Sequence, residues 1–187
     1  FSLNRGEILG IAGLLGSGRT ELARAIAGID KIDSGSIYIK GEEVKLKSPA
    51  DGIRHGIAFL TEDRKSQGLV LILQVKENIS LANLDSFSKL GVINFRKEEE
   101  EAGKYQKSLR IKTPGLDQQV LYLSGGNQQK VILAKWLSSR ADIFIFDEPT
   151  RGIDVGSKVD IYNLMNELVE QGAAIIMISS ELPEIVG

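Results

Sequence analysis

Gly13-Leu14-Leu15-Gly16-Ser17-Gly18-Arg19-Thr20 is the stretch from which the rest of the chain is read. It fits the pattern G-x-x-x-x-G-K-[ST] at every fixed position but one, where Arg19 replaces lysine. Glu7 to Ala12 before it reads as a short buried strand. Arg19 to Ala27 after it reads as a helix, with Leu22, Ala25 and Ile26 on one apolar face. Glycines between a strand and a helix let successive backbone N–H groups converge on one anion, and the helix start adds its positive end. The hydroxyl of Thr20 then falls where a divalent cation on bound phosphates would sit, and the basic side chain beside it reaches the phosphates.

A second stretch fixes the layering. Ile143-Phe-Ile-Phe146 is an apolar run closed by Asp147-Glu148-Pro149, as expected of a parallel strand covered on both faces. Two carboxylates at the C-terminal end of such a strand lie on the edge where open parallel sheets bind ligands. Asp147 suits a cation held partly through water, and Glu148 suits polarisation of an attacking water. Around this strand, Asn127 to Ser139 and Lys158 to Glu170 read as helices, and Ile57 to Thr61 and Ala173 to Ser179 as strands. Gly35 to Gly41 alternates like an exposed antiparallel strand, and Ser48-Pro49 reads as a capped helix start. The alternation predicts an α/β layered fold.

From Glu62 to Tyr122 helical signals dominate, so this part reads as an insertion. The expected organisation is a single domain over 1–187, with an α/β core of 1–61 and 124–187 and a helical part of 62–123. Phe95 to Leu109 is a polar helix whose run Glu98 to Glu101 reads as a solvated face, with Glu100 and Lys104 paired. The first and last residues look cut within elements, which reads as a fragment.

Of 187 residues 42% are hydrophobic, which excludes wholesale disorder. Lysine and arginine number 23 against 25 acidic residues, so no broad basic surface is available for nucleic acid. With no cysteine, a disulfide framework, thiolate metal sites and a cysteine nucleophile are excluded, and a reducing compartment fits. The longest apolar runs, Leu69 to Leu73 and Ala173 to Ile178, fall far short of the roughly 20 residues that span a bilayer. The opening residues do not read as a signal peptide. His55, the one histidine, reads as an ordinary partly exposed residue.

Leu123-Ser124-Gly125-Gly126-Asn127-Gln128-Gln129-Lys130 opens another helix. Ser124 is placed to cap it, and the glycines leave its first N–H groups open to a second anion. One mononucleotide does not need two such turns, so the second reads as serving a nucleotide bound elsewhere.

These motifs stand in the order found in ATP-binding cassette (ABC) ATPases, which the chain resembles over nearly all its length. Gly18-Arg-Thr-Glu21, Thr61-Glu-Asp-Arg64, Leu123 to Lys130, Glu148 to Gly156 and Ser179-Ser-Glu-Leu-Pro183 look like one cassette in particular. It is the second, C-terminal cassette of the fused two-cassette ATPases of bacterial monosaccharide importers, the ribose, galactose, xylose and arabinose group. The resemblance implies a P-loop fold with a mainly parallel core sheet, a small antiparallel part and an inserted helical subdomain. It implies ATP and Mg²⁺ as cofactors. Gly13, Gly16, Ser17, Gly18, Arg19, Thr20, Glu21, Glu62, Ser124, Gly125, Gly126, Gln128, Asp154 and Ser180 would then serve nucleotides, Thr20 and Asp147 the metal, and Glu148 catalysis.

The partners implied are an N-terminal cassette of the same chain or a second cassette, membrane permease subunits and, indirectly, a sugar-binding protein. No nucleic acid is expected. The place implied is peripheral, on the cytoplasmic face of the inner membrane, with Glu62 to Asn78 forming a rim against the permease. The alternative is a soluble ABC ATPase acting in DNA repair or on ribosomes, which the missing basic surface and the importer-like motifs disfavour. Three departures stand out: Arg19 for lysine, Glu62 for the usual glutamine, and Ser180 for the usual histidine. Together they imply a site that binds ATP and turns it over slowly, beside an intact Ser124 turn that completes the partner's site.

Overall fold

In the computed structural model, residues 1–14 and 16–186 are described. The chain begins β1 (Ile8–Ala12), α1 (Arg19–Ile26), β2 (Ile37–Ile39), β3 (Glu42–Val44), α2 (Pro49–Arg54) and β4 (Ile57–Leu60). It continues α3 (Val75–Ser80), α4 (Leu84–Phe87), β5 (Ser88–Lys89), β6 (Val92–Ile93), α5 (Phe95–Ser108) and α6 (Gly125–Ser138). It closes with β7 (Ile143–Asp147), α7 (Val155–Glu170), β8 (Ala174–Ser179) and α8 (Leu182–Val186). Two compact units result. The first holds Phe1–Leu60, Ala141–Pro149 and Asn166–Gly187; the second holds Thr61–Arg140 and Thr150–Met165.

The first unit is built on a parallel sheet in the order β1-β8-β7-β4. β8 and β4 are buried throughout and β7 nearly so, as uninterrupted apolar runs in a parallel sheet should be. β1 departs from expectation: it alternates between exposed and half-buried, whereas β4 at the other end of the sheet is covered. The apolar face of α1 also departs. Ala23 and Ala27 pack with Ile57, Phe59, Ile145, Ile176 and Ile178, and Ile26 packs against them as expected, while Leu22 is exposed. Alanines on the buried stripe let the helix backbone come close to the sheet. The expected antiparallel pair is β2 with β3. At α2 the hydroxyl of Ser48 accepts the Asp51 N–H at 3.3 Å, with Pro49 at the first helical position.

In the second unit α3, α5 and α6 pack on one another. Residues 124–140 and 150–165 fall in this unit. Every residue of α6 from Gln128 to Lys135 is buried. On α5 the glutamate run is not uniformly solvated: Glu98 is buried and accepts a hydrogen bond from the Ser80 hydroxyl. Nor do Glu100 and Lys104 pair. Arg96 takes Glu100 at 3.0 Å and Lys104 takes Glu101 at 2.8 Å, since neighbours three and four apart compete on a helix surface. The apolar run beginning at Leu69 splits: Leu69 is buried, and Ile72 is 71% exposed.

Candidate functional site

The first unit gathers its motif residues at one edge. Ala12 lies beside Ser179, and Ile178 beside Asp147, so β1, β8 and β7 end together. The glycine turn, Asp147, Glu148 and Ser180 therefore share the carboxyl edge of the sheet. Gly16 and Gly18 have φ of 80° and 86°, a left-handed conformation that glycine adopts without strain. Ser17 N–H bonds the Leu14 carbonyl at 3.1 Å, tightening the turn. Gly18 precedes α1 and supplies no side-chain cap, so N–H groups of its first turn remain for an anion. Gly13 lies under Ser17 and Arg19: a Cβ there would fall 2.8 Å from the Ser17 hydroxyl. Glu21 is exposed in the first turn of α1.

Asp147 is 1% exposed and neither carboxylate oxygen has a hydrogen-bond partner. Burial raises its pKa above the ordinary aspartate range, and the Glu148 charge adds to this. The neighbouring Thr20 hydroxyl and Arg19 pull the other way, Thr20 approaching without hydrogen-bond geometry. Glu148 is buried, with φ of 49°, and its N–H bonds the Ile178 carbonyl at 3.0 Å. The backbone is held in this uncommon conformation and turns the side chain over the end of β8, where one oxygen accepts the Ser180 N–H at 2.7 Å. Arg19 reaches into the same place. One guanidinium nitrogen donates to the Ser179 carbonyl at 2.6 Å and the other lies 3.6 Å from Glu148. Ser180 thus contributes its backbone N–H here, to Glu148.

The remaining motif residues belong to the second unit. Ser124 precedes α6, but its hydroxyl accepts from the Asn127 amide at 2.8 Å and does not cap the helix. The Asn127 side-chain amide takes the acceptor that the backbone would have used. Gln128 is buried and its side-chain amide donates to the Val120 carbonyl at 3.1 Å. Asp154 accepts the Ser157 N–H at 3.0 Å and hydroxyl at 2.7 Å, which lowers its pKa and fastens the start of α7. Glu62 pairs with Arg151. With Asp63, Arg64 and Lys65 these two line an open depression of about 300 Å³. The sequence reading had given Arg64 and Arg151 no role of their own. Arg64 donates to the carbonyls of Arg151 and Gly152, and no motif spacing announces those contacts.

Among the described residues no three histidine or acidic side chains form a metal cage. Magnesium does not need one. It usually keeps waters and takes one or two carboxylates beside phosphate oxygens, and the unpartnered Asp147 with the Thr20 hydroxyl fits that donor set. No helix among the described residues is long and apolar enough to cross a membrane.

Comparison with known proteins agrees with this layout. The family model described as ABC transporter matches residues 1–151. The chain is 57% identical to the xylose import ATP-binding protein XylG of Thermoanaerobacter pseudethanolicus, over all of this chain and 37% of that protein. It is 52% identical to the ribose import ATP-binding protein RbsA of Bacillus cereus, over all of this chain and 38% of that protein. The chain thus spans just over a third of the length of these curated relatives. Among solved structures, a nucleotide-free ATP-binding cassette from an ABC transporter superposes with a TM-score of 0.81 at 27% identity, covering 100% of this chain and 75% of that one. The fold is that of an ABC ATPase cassette, with a parallel core sheet, small antiparallel pairs and helices.

Proposed function

The chain belongs to the ABC transporter family, and on that premise we propose that it is the second ATP-binding cassette of a monosaccharide importer, peripheral to the cytoplasmic face of the membrane beside a permease. The observation that carries the nucleotide reading is the buried, unpartnered carboxylate of Asp147 on the same sheet edge as the glycine turn. The sugar reading rests on likeness along the whole chain to the xylose and ribose import proteins.

The N–H groups of the turn and of the start of α1 hold the phosphates of ATP, and Thr20 and Asp147 hold Mg²⁺. The metal, when bound, draws negative charge from the phosphoryl oxygens. Glu148 is the group that would polarise water, yet it shares its oxygen with Ser180 and lies against Arg19. The one cation of the loop is therefore divided between the phosphates, the Ser179 carbonyl and Glu148. That sharing supports a site that holds ATP and turns it over slowly. The Ser124 turn, where glycines open α6 without a side-chain cap, is read as closing the nucleotide site of the other cassette. Glu62 to Asn78 is read as the rim against the permease, with Ile72 facing outward.

The test is reconstitution of the full-length protein with its permease and sugar-binding protein in vesicles, following uptake of labelled xylose or ribose. ATP-dependent uptake, with turnover stimulated by the loaded binding protein, is expected. Turnover indifferent to permease and binding protein would contradict the reading.

A further inference from the structure

Arg64 lies where three segments of the second unit meet. It opens a π-helical turn, Arg64–Gly68, that follows Glu62. One end of its guanidinium donates to the Arg151 carbonyl at 2.8 Å and to the Gly152 carbonyl at 3.2 Å. Arg151 in turn pairs with Glu62. The same guanidinium backs onto the start of α6: a Cβ placed on Gly125 would come within 2.8 Å of Nη2. Glycine at that position is what lets the flat guanidinium lie against the helix start.

The turn that carries Arg64 is itself fastened. Asp63 accepts the N–H groups of Lys65 and Ser66, each at 3.2 Å, and the Ser66 hydroxyl at 2.6 Å. The turn's last carbonyl, that of Gly68, accepts from the buried Lys135 ammonium at 2.6 Å. Lys135 stands on α6, the helix that begins at Gly125. The Arg64 turn is thus hydrogen-bonded to α6 near the last turn of that helix by Lys135, and at the helix start the Arg64 guanidinium packs against Gly125.

We propose that Arg64 is the positioning residue that fixes the Ser124–Gly126 turn relative to the Glu62 segment and the loop before α7. This rests on the reading that the Ser124 turn closes another cassette's nucleotide site. Arginine suits the task because its rigid fork spans two successive carbonyls, which a lysine point charge cannot do. Its Nε is buried without a partner, so the fork is held by backbone carbonyls and not by a carboxylate. Carbonyl acceptors move with the backbone. A shift of the 150–153 loop or of the Glu62 segment is therefore passed to the helix start, and the turn presents its N–H groups only when both are seated.

The test uses the full-length protein assembled with its permease, measuring kcat and KM for ATP and Tm for Arg64→Ala, Arg64→Lys and Ser124→Arg. Arg64→Ala should lower kcat about 10²-fold, the size of effect that follows a small misplacement of a site, with KM and Tm unchanged. Arg64→Lys, able to reach one carbonyl, should recover part of the loss. An unchanged kcat, a rise in KM alone, or a fall in kcat matched by a fall in Tm would overturn the inference. Should Arg64→Ala not fold, Arg64→Lys decides by the same readings. Turnover that survives Ser124→Arg would remove the underlying reading of the turn. Turnover stopped by Ser124→Arg but indifferent to Arg64→Ala would remove this inference alone.

Discussion

Asp147 in the first unit and Lys135 in the second are both buried charges, and the fold treats them in opposite ways. Lys135 is 8% exposed, donates to the Gly68 carbonyl at 2.6 Å and lies 5.0 Å from the centre of the Trp136 ring. Burial lowers its pKa to about 8, and its hydrogen bond is made within the chain. Asp147 has its pKa raised, chiefly by burial, and neither oxygen has a partner. A satisfied buried charge belongs to the fold. An unsatisfied one at the carboxyl edge of a parallel sheet is reserved for something that arrives from outside. The first unit therefore contributes ionisable chemistry, and the second a backbone surface at Ser124 to Gly126 held by groups that have already paired.

Removing the two charges should have different consequences for nucleotide binding. Asp147→Asn should weaken Mg²⁺-dependent ATP binding at the holding site by about 10-fold or more while raising Tm, because an unpaired buried charge is lost along with the proposed metal ligand. Nucleotide-binding assays and thermal unfolding of one preparation check both halves. A fall in Tm would mean that the carboxylate is paired within the fold, and the contrast with Lys135 would disappear.

Lys135 gives the smaller effect, in stability alone. Its folded pKa of about 8 lies below the ordinary 10.5, so between those values the unfolded chain binds the proton more tightly. Stability should then rise with pH across that window, by about 3 kcal/mol in full, and the penalty should be complete and constant below pH 8. Urea unfolding of wild type and Lys135→Met at several pH values isolates the group. The variant's relative stability should decline from pH 8 to 10.5, and a difference independent of pH would refute the assignment.

Much of this was legible where neighbouring residues decide the outcome. The apolar run ending in Asp147, the Ser48-Pro49 helix start and the antiparallel pair near Gly41 are set by local pattern and punctuation. Glu98 was misread because its run of four glutamates masks its spacing: it stands four residues before the buried Ala102 and shares that face. Gln128 precedes Val131 and Ile132 by three and four residues, which turns it inward. The pairing of Arg19 with Glu148 and the contacts of Arg64 with 151–152 join residues far apart in the chain. No local period encodes them, and they appear only once the strands and loops are in place.

The central claim is that the glycine turn at 13–18 and the turn at Ser124 serve two different nucleotides, one held and one hydrolysed. Ser124→Arg and Arg19→Ala, compared in the full-length protein with its permease, test it most directly through sugar uptake and ATP turnover. Ser124→Arg should stop both, by placing a bulky cation where the other cassette's phosphate docks, while Arg19→Ala should leave a measurable share of each. If Arg19→Ala stops turnover as completely as Ser124→Arg, the assignment of holding and hydrolysing sites is wrong.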